Sequence, residues 1–321
     1  MLIDWYVIES GAVVRRPAPA AWPSAGEVRP GESWLDIRDG DPDQVAAFLG
    51  PLGLHPLALR RCIAPAGVPG AISYGPAIVL EYPTGLDAPT AASAYVTLVL
   101  QGPVLLTIRR GALPEFDAFA QALTADGAPP VLHLAQVVYE MIDALTDPGV
   151  KAEIDLRERL QRASRALDER PDSVAAADLT RLHWEVGALV SLIENQLYAV
   201  AALNASDNEA LREPHRKAYI GDLVSELELA QRGAYRLEAR VNDLDSAYQL
   251  ASSSRVERRL RILTVVSAVT LPLGLIAGLL GMNVGGVPLL DNPNGFAIVS
   301  LVMAAIVVIE LWYFRRNGWF D

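Results

Sequence analysis

Two long apolar segments near the end of the chain constrain its fold more than any other feature. Residues 262–282 contain no charged side chain, and neither do residues 296–309. A helix needs about 20 apolar residues to cross the hydrocarbon core of a bilayer. With the second segment extended past Glu310 to Phe314, the pattern predicts two transmembrane helices, at about 262–282 and 296–314, that follow a large soluble part.

The arginines around these segments predict their orientation. The first segment is preceded by Arg255, Arg258, Arg259 and Arg261, and the second is followed by Arg315 and Arg316. The intervening loop, 283–295, has no Lys or Arg. Basic residues stay on the cytoplasmic side of a membrane, so both termini are expected there. The first eleven residues lack the basic and apolar regions of a signal peptide, which agrees with a cytoplasmic soluble part.

Composition argues against several classes of function. The formal net charge of −11 disfavours a nucleic-acid surface and suits a protein that handles cations, although solubility alone also explains it. Cys62 is the only cysteine, which excludes a disulfide framework and a cysteine-based zinc finger. The sequence has no phosphate-binding loop, zinc-protease motif or triad in context. We therefore expect neither an enzyme nor a prosthetic group.

The soluble part divides into an α/β domain and a helical region. Residues 1–130 are expected to hold strands at 5–8, 34–37, 77–82, 95–100 and 104–109. Asp41 and Pro42 predict the capped start of a short helix. Residues 131–216 are expected to form charged helices, the first continuing to Glu169 and the second running from about Ser173 to Leu203.

A heptad stripe predicts a long stalk helix. Its apolar members are Leu223, Leu227, Ala230, Ala234, Leu237, Val241, Leu244 and Tyr248. Their spacing alternates between four and three residues, and no proline interrupts residues 217–271. One helix is therefore expected from Lys217 through the first span to Met282. Two membrane helices cannot enclose a polar path, so a pore requires several copies of the chain.

Several motifs resemble those of the CorA metal-ion transporters. Residues 272–283 read Pro-Leu-Gly-Leu-Ile-Ala-Gly-Leu-Leu-Gly-Met-Asn, which resembles the first-span signature of that family and ends in its Gly-Met-Asn hallmark. Residues 52–59 resemble the Leu-His-Pro-Leu stretch of its cytoplasmic domain, and residues 315–320 resemble its basic, tryptophan-containing tail. After the hallmark, residues 284–288 read Val-Gly-Gly-Val-Pro, which is similar to the ZntB zinc-transport branch.

The resemblance implies a fold, a location and a function. The fold would be a funnel-shaped homopentamer in the bacterial inner membrane, with the cytoplasmic α/β domain, the long stalk and the two spans in each subunit. The function would be transport of a divalent cation, with Zn²⁺ as the expected ion. Resemblance to the zinc branch raises proton coupling as an option, although the sequence shows no proton carrier. A Mg²⁺, Co²⁺ or Ni²⁺ channel on the same architecture is the alternative. A membrane-tethered oligomeric sensor without transport is a second alternative.

Two positions depart from the family pattern. The family often has Glu-Asp after the Leu-His-Pro-Leu stretch, whereas this chain has Arg60 and Arg61. Many members have an asparagine at the cytoplasmic mouth of the pore, whereas this chain has Glu257. Glu257 would either attract cations to that mouth or pair with Arg261 four residues on.

The selectivity motif is expected at Gly281, Met282 and Asn283. The Asn283 carbonyl can accept hydrogen bonds from the water shell of an ion, and five such groups would select a hydrated cation. A plain C-cap is its structural alternative. Gly281 and Met282 are expected to set the backbone around it. Helical spacing back from Asn283 predicts a pore-lining stripe, whose members are Gly278, Leu275 (or Gly274), Leu271, Thr264, Leu260 and Glu257.

Carboxylates supply the remaining candidates. Asp291 is the only charged residue of the outer loop and would form a ring of charge at the outer mouth, unless it is only a turn residue. Glu310 is expected to anchor the second span near Arg315 rather than relay protons. Four carboxylates off the heptad stripe are candidates for regulatory divalent cations between subunits, with a solvated face as the alternative: Asp222, Glu226, Asp243 and Asp245.

Overall fold

A computed structural model describes residues 1–18, 32–85, 95–170, 173–207, 214–282 and 292–319. The chain divides into two compact units, Met1–Asp243 and Leu244–Asp321. The first unit holds a sheet and the helices packed on it. The second unit contains the two apolar segments.

Seven strands form one mixed sheet in the described part of the first unit. Their bounds are β1 Leu2–Glu9, β2 Ala12–Arg16, β3 Ser33–Arg38, β4 Gly70–Tyr74, β5 Ala77–Pro83, β6 Tyr95–Gln101 and β7 Val104–Arg109. The order across the sheet is β2-β1-β3-β7-β6-β5-β4. The pairing of β3 with β7 is parallel and the other pairings are antiparallel. All five expected strands are confirmed, and β2 and β4 are additional.

Both faces of the sheet are covered by helices. Successive side chains of a strand point to opposite faces, and on β6 Leu98 and Leu100 join one apolar core whereas Val99 joins the other. The first core includes apolar side chains of four helices, Pro114–Leu123, Leu134–Glu169, Ala176–Ala205 and Pro214–Leu280, and the second includes those of the helices Pro42–Leu49 and Pro56–Ile63. Because helices cover both faces of the sheet, strand β5 is buried along its whole length.

The described helices are bounded as follows: α1 Pro42–Leu49, α2 Pro56–Ile63, α3 Pro114–Leu123, α4 Leu134–Glu169, α5 Ala176–Ala205, α6 Pro214–Leu280 and α7 Gly295–Arg316. The predicted cap of α1 is present, since Asp41 Oδ1 accepts a hydrogen bond from the Asp43 amide at 3.3 Å. The single long helix expected from Lys217 is confirmed as α6. The short helices α2 and α3 were not expected from the sequence.

The heptad stripe is buried in the helical layer. Seven of its eight members, from Leu223 to Leu244, are buried, and Tyr248 is half-buried. Leu223 and Leu227 belong to the first apolar core. Tyr235 on α6 donates a hydrogen bond to Glu194 on α5. Within one chain, therefore, the preceding helices supply partners for the stalk helix.

Candidate functional site

Three described helices are long and apolar enough to cross a membrane, as judged by length and composition alone. They are α5, the apolar part of α6, and α7, with mean hydropathies of 1.5, 2.2 and 2.4. The apolar window of α5 is 50% buried inside the protein, whereas those of α6 and α7 are each 6% buried. Half of the apolar window of α5 is thus covered by the protein itself, whereas the apolar windows of α6 and α7 are almost entirely uncovered.

The predicted pore residues lie along one face of α6. Glu257, Leu260, Thr264, Leu271, Leu275 and Gly278 are separated by three, four or seven residues, which a helix brings to one side. All six are exposed in the single chain. Within residues 262–282, all of which the structure describes, Val265 is the only buried residue. One protomer therefore leaves this face without a covering.

Thr264 adds an oxygen acceptor to this mostly apolar face. Its hydroxyl donates a hydrogen bond to the Leu260 carbonyl at 2.8 Å. With that proton committed, the hydroxyl oxygen can act only as an acceptor, through its two lone pairs. The group can therefore face a cation or its water shell without rearrangement.

Glu257 and Arg261 form a long ion pair at the basic end of this face. Arg261 Nη2 lies 4.0 Å from Glu257 Oε2, and the two side chains are 48% and 68% exposed. Exposed pairs of this kind contribute little to stability. Glu257 was expected either to attract cations or to pair with Arg261. The pair is present in the single chain, and both side chains remain exposed.

The selectivity motif begins at the end of α6. The Gly281 amide donates to the Ala277 carbonyl at 2.9 Å, and the Met282 amide donates to the Leu279 carbonyl at 3.3 Å. A Cβ at position 281 would lie 3.1 Å from the Ala277 carbonyl oxygen, a tight contact with the preceding turn of the same helix. Met282 is exposed. Asn283 and Asp291 lie outside the described residues.

Asp222 and Glu226, two candidates for regulatory metal, lie beside acids that sequence reasoning missed. Tyr139 on α4 donates a hydrogen bond to Asp222 Oδ2 at 3.1 Å. Partial burial, together with Asp147, Glu140 and Asp222, raises the pKa of Asp143. Burial, and then the charges of Asp143, Asp222 and Asp147, raises the pKa of Glu226. The signal for this cluster was present in the spacing of Glu140, Asp143 and Asp147 on α4.

The other two candidates are separate from this cluster. Asp243 is exposed, and Asp245 accepts a hydrogen bond from the Gln249 side chain at 2.9 Å. Among the described residues, no group of three or more His, Cys, Asp or Glu side chains is arranged to hold a metal ion. A regulatory site at these positions would need ligands from a second protomer. His55 and His133 act as helix N-caps. Each accepts a hydrogen bond through Nδ1, from the Leu57 amide and the Gln136 amide respectively, at 3.2 Å.

Glu310 differs from its expected role. Its Oε2 is shielded from solvent and accepts no hydrogen bond. Within the described part of the chain it forms no ion pair with Arg315, so the expected anchoring contact is absent there. An acid on an apolar helix is costly in a membrane unless it is protonated or paired.

A sheet-containing domain together with apolar helical segments that are largely uncovered defines the class of a membrane protein with a large folded domain. Residues 31–316 match the family model described as CorA-like Mg²⁺ transporter protein. Because this match covers most of the chain, the protein belongs to that family of divalent-cation transporters. Its members are transporters and not enzymes, as the sequence predicted.

Three relatives illustrate the range of the family. The divalent cation transporter CmaX of Pseudomonas aeruginosa is 25% identical over 91% of this chain and 89% of its own length. A cobalt/magnesium transport protein CorA of Thermotoga maritima is 25% identical over 89% of this chain and 83% of its own. A zinc transport protein ZntB of Photorhabdus laumondii is 23% identical over 56% of this chain and 54% of its own.

Solved structures share the fold. The CorA magnesium transporter of Methanocaldococcus jannaschii superposes with a TM-score of 0.78 and 15% identity, and covers 99% of both chains. The full-length CmaX structure gives a TM-score of 0.76 and 21% identity, and covers 98% of this chain and 97% of its own. The predicted CorA-like architecture is therefore confirmed at the level of one protomer.

Proposed function

We propose that five copies of this chain form a pore along the exposed face of α6, and that the pore conducts a hydrated divalent cation. The supporting observation is that this face, from Glu257 to Gly278, is exposed over its whole length and leads directly into Gly281 and Met282. Two membrane helices per chain are too few to enclose a path. Neighbouring copies would both cover the apolar surface and complete the pore.

The outer end of the pore is assigned to Asn283. Five side-chain carbonyls there would accept hydrogen bonds from the water shell of the ion, which suits a cation that dehydrates reluctantly. The free carbonyls at the C-terminus of α6 favour positive charge at the same end. Asp291 from each copy would raise the local cation concentration.

The rest of the pore combines an apolar constriction with a few polar groups. A ring of Leu271 would hold the path closed by excluding water. Thr264 would supply acceptor oxygens, and Glu257 would meet the ion at the cytoplasmic mouth in competition with Arg261. The candidates Asp222, Glu226, Asp243 and Asp245 would bind regulatory cations with ligands from two protomers.

Burial and charge support the proposed membrane topology. The apolar parts of α6 and α7 span the bacterial inner membrane, and α5 stays in the soluble domain because half of its apolar window is already buried. Both termini are cytoplasmic, since the arginines flank these two helices on one side. Lipid and further copies of the chain are its main partners.

Zn²⁺ is the proposed cargo, on the strength of the Gly-Gly-Val-Pro run at 285–288 and its resemblance to the zinc branch. Mg²⁺ or Co²⁺ is the second candidate, because the cobalt/magnesium transport protein of Thermotoga maritima matches 89% of the chain, whereas the zinc transport protein of Photorhabdus laumondii matches 56% of it. Coupling to protons is proposed only for Zn²⁺ transport.

Uptake into proteoliposomes separates these candidates. The purified protein would be reconstituted with a zinc-sensitive dye inside, with and without a pH gradient and with Mg²⁺ as competitor. Zinc uptake that the gradient accelerates supports the coupled zinc transporter. Uptake indifferent to the gradient and blocked by excess Mg²⁺ supports the Mg²⁺ or Co²⁺ channel. Absence of flux for every divalent ion would favour the membrane-tethered sensor.

A further inference from the structure

The end of α7 folds back on itself in a defined way. Gly318 adopts a left-handed conformation, with φ of 67°. The Trp319 amide donates to the Phe314 carbonyl at 3.1 Å, and the Gly318 amide donates to the Arg315 carbonyl at 3.3 Å. These two bonds are those of a Schellman motif. The motif brings the Trp319 ring within 5.2 Å of the Phe314 ring, measured between centroids.

The same turn presents two arginines beside an aromatic ring. Arg316 lies over the Trp312 ring, with its guanidinium carbon 5.3 Å from the ring centroid. Arg315 is three residues from Trp312 and therefore on the same side of the helix. Both arginines are exposed, and neither forms an ion pair within the described part of the chain. Trp312 itself is 58% exposed.

The charge of this turn contrasts with the charge of the protein. The chain carries a formal charge of −11, yet this last turn combines Arg315 and Arg316 with no acid after Glu310 until Asp321. A guanidinium fork matches the oxygens of a phosphate. Tryptophan rings favour the boundary between lipid tails and headgroups. Cation and ring together fit a ligand with an anionic head and an apolar body.

We propose that Trp312, Arg315, Arg316 and Trp319 bind the phosphate headgroup of an anionic phospholipid in the cytoplasmic leaflet. The occupant is a lipid rather than a soluble anion because the arginines continue directly from the exposed apolar surface of α7, where acyl chains would lie. This inference rests on the proposal that α7 crosses the membrane. It does not depend on which ion is transported.

Quenching by brominated lipids tests the site. The full-length protein would be reconstituted in vesicles of phosphatidylcholine and phosphatidylglycerol, with bromine on the acyl chains of one lipid at a time. Bromine reaches only tryptophans at the bilayer, which here are Trp312 and Trp319. We expect brominated phosphatidylglycerol to quench more strongly than brominated phosphatidylcholine at equal mole fraction. Replacing one arginine should lower this preference about fivefold, at about 1 kcal/mol per basic residue near an anionic surface.

Three variants and one control variant sharpen the test. Arg316→Gln should weaken the preference and Arg316→Lys should retain most of it, while Arg315→Gln/Arg316→Gln should abolish it. Arg232→Gln, which removes an exposed arginine of the soluble unit, should leave it unchanged. Equal quenching by the two lipids in the unaltered protein would overturn the proposal, and so would a preference that persists in the double variant or is abolished by inorganic phosphate.

Measuring ion flux in the same vesicles tests the transport proposal independently of the lipid site. A lipid preference without flux would retain the lipid site and reject transport. Flux without a lipid preference would do the reverse. If neither brominated lipid quenches tryptophan fluorescence, the placement of α7 in the bilayer is itself wrong, and the lipid site falls with it.

Discussion

Gly233 on α6 lies directly against the carboxylate of Glu153 on α4. A Cβ at position 233 would come within 2.6 Å of Glu153 Oε1. Glu153 is buried, and its carboxylate is paired with Arg157 on the same helix. Because position 233 has no side chain, the buried Glu153 carboxylate of α4 can lie directly against the backbone of α6.

This contact predicts opposite effects of two similar substitutions. Alanine is favoured over glycine inside a helix by about 1 kcal/mol. Gly221→Ala, where nothing lies within 4 Å of the new Cβ, should therefore raise the thermal unfolding midpoint. Gly233→Ala should lower it, because the methyl group displaces the Glu153 carboxylate. Adding Glu153→Ala to Gly233→Ala should recover part of the loss. Equal midpoints for the two single variants would show that the contact carries no strain.

The buried ion pair between Arg61 and Glu81 gives a second prediction. Glu81 is fully buried and accepts hydrogen bonds from Arg61 Nη1 at 2.5 Å and from the amides of Ala66 and Val68 at 3.3 Å. Arg61→Met should destabilise the protein by about 3–5 kcal/mol, because the carboxylate loses its counter-charge. The measurement is chemical unfolding in detergent. Arg60→Met, at an exposed position, is the control and should change stability little.

The acidic cluster between α4 and α6 predicts a pH dependence. The pKa of Asp143 and that of Glu226 are raised in the folded protein, so their ionisation opposes folding. Below the unfolded pKa of about 4 the carboxyls are protonated in both states, and the cost is absent. It appears as pH rises and is complete above the folded pKa. Asp143→Asn should therefore raise the unfolding midpoint near neutral pH and have little effect near the unfolded pKa. A gain independent of pH would contradict this origin.

The apolar face of α6 predicts a leak. If Leu271 closes the pore by excluding water, Leu271→Ser should increase basal cation flux, because a hydroxyl ring is wetted more easily. Leu273→Ser lies on the opposite side of the helix and is half-buried, so it is a matched control. Dye-loaded proteoliposomes given external cation, but no pH gradient, would report the difference. Equal leakage in both variants would remove Leu271 from the constriction.

The sequence predicted the parts of the fold that depend on local pattern. The five strands, the Asp41 cap and the long α6 follow from alternation, capping and heptad spacing, all of which are short-range signals. Helices α2 and α3 were missed because each is short and neither is preceded by the Ser, Thr, Asp or Asn cap that marks α1, since the capping positions hold His55 and Leu113. Their apolar side chains can be assigned to a core only once the helices are seen packed on the sheet.

Only the part of the candidate pore that lies on α6 could be predicted from the sequence. Helical spacing placed Glu257, Thr264 and Leu271 on one face because residues of one helix share a fixed geometry. Contacts between distant segments were not accessible in this way. Glu81 lies in the middle of a buried strand, and its partner Arg61 is on a helix that local pattern did not reveal. The helical spacing of the α4 acids was visible in the sequence, but their position opposite Asp222 was not, because it depends on how α4 and α6 pack.

The central claim is that divalent cations pass through a ring of Asn283, and one variant tests it most directly. Zn²⁺ and Mg²⁺ uptake would be measured in proteoliposomes for Asn283→Ala and for Asn294→Ala, whose side chain forms no capping hydrogen bond at the start of α7. Light scattering would confirm that both variants keep the same oligomeric state. The account predicts that Asn283→Ala loses uptake and Asn294→Ala keeps it. Undiminished uptake through an intact Asn283→Ala oligomer would contradict the account.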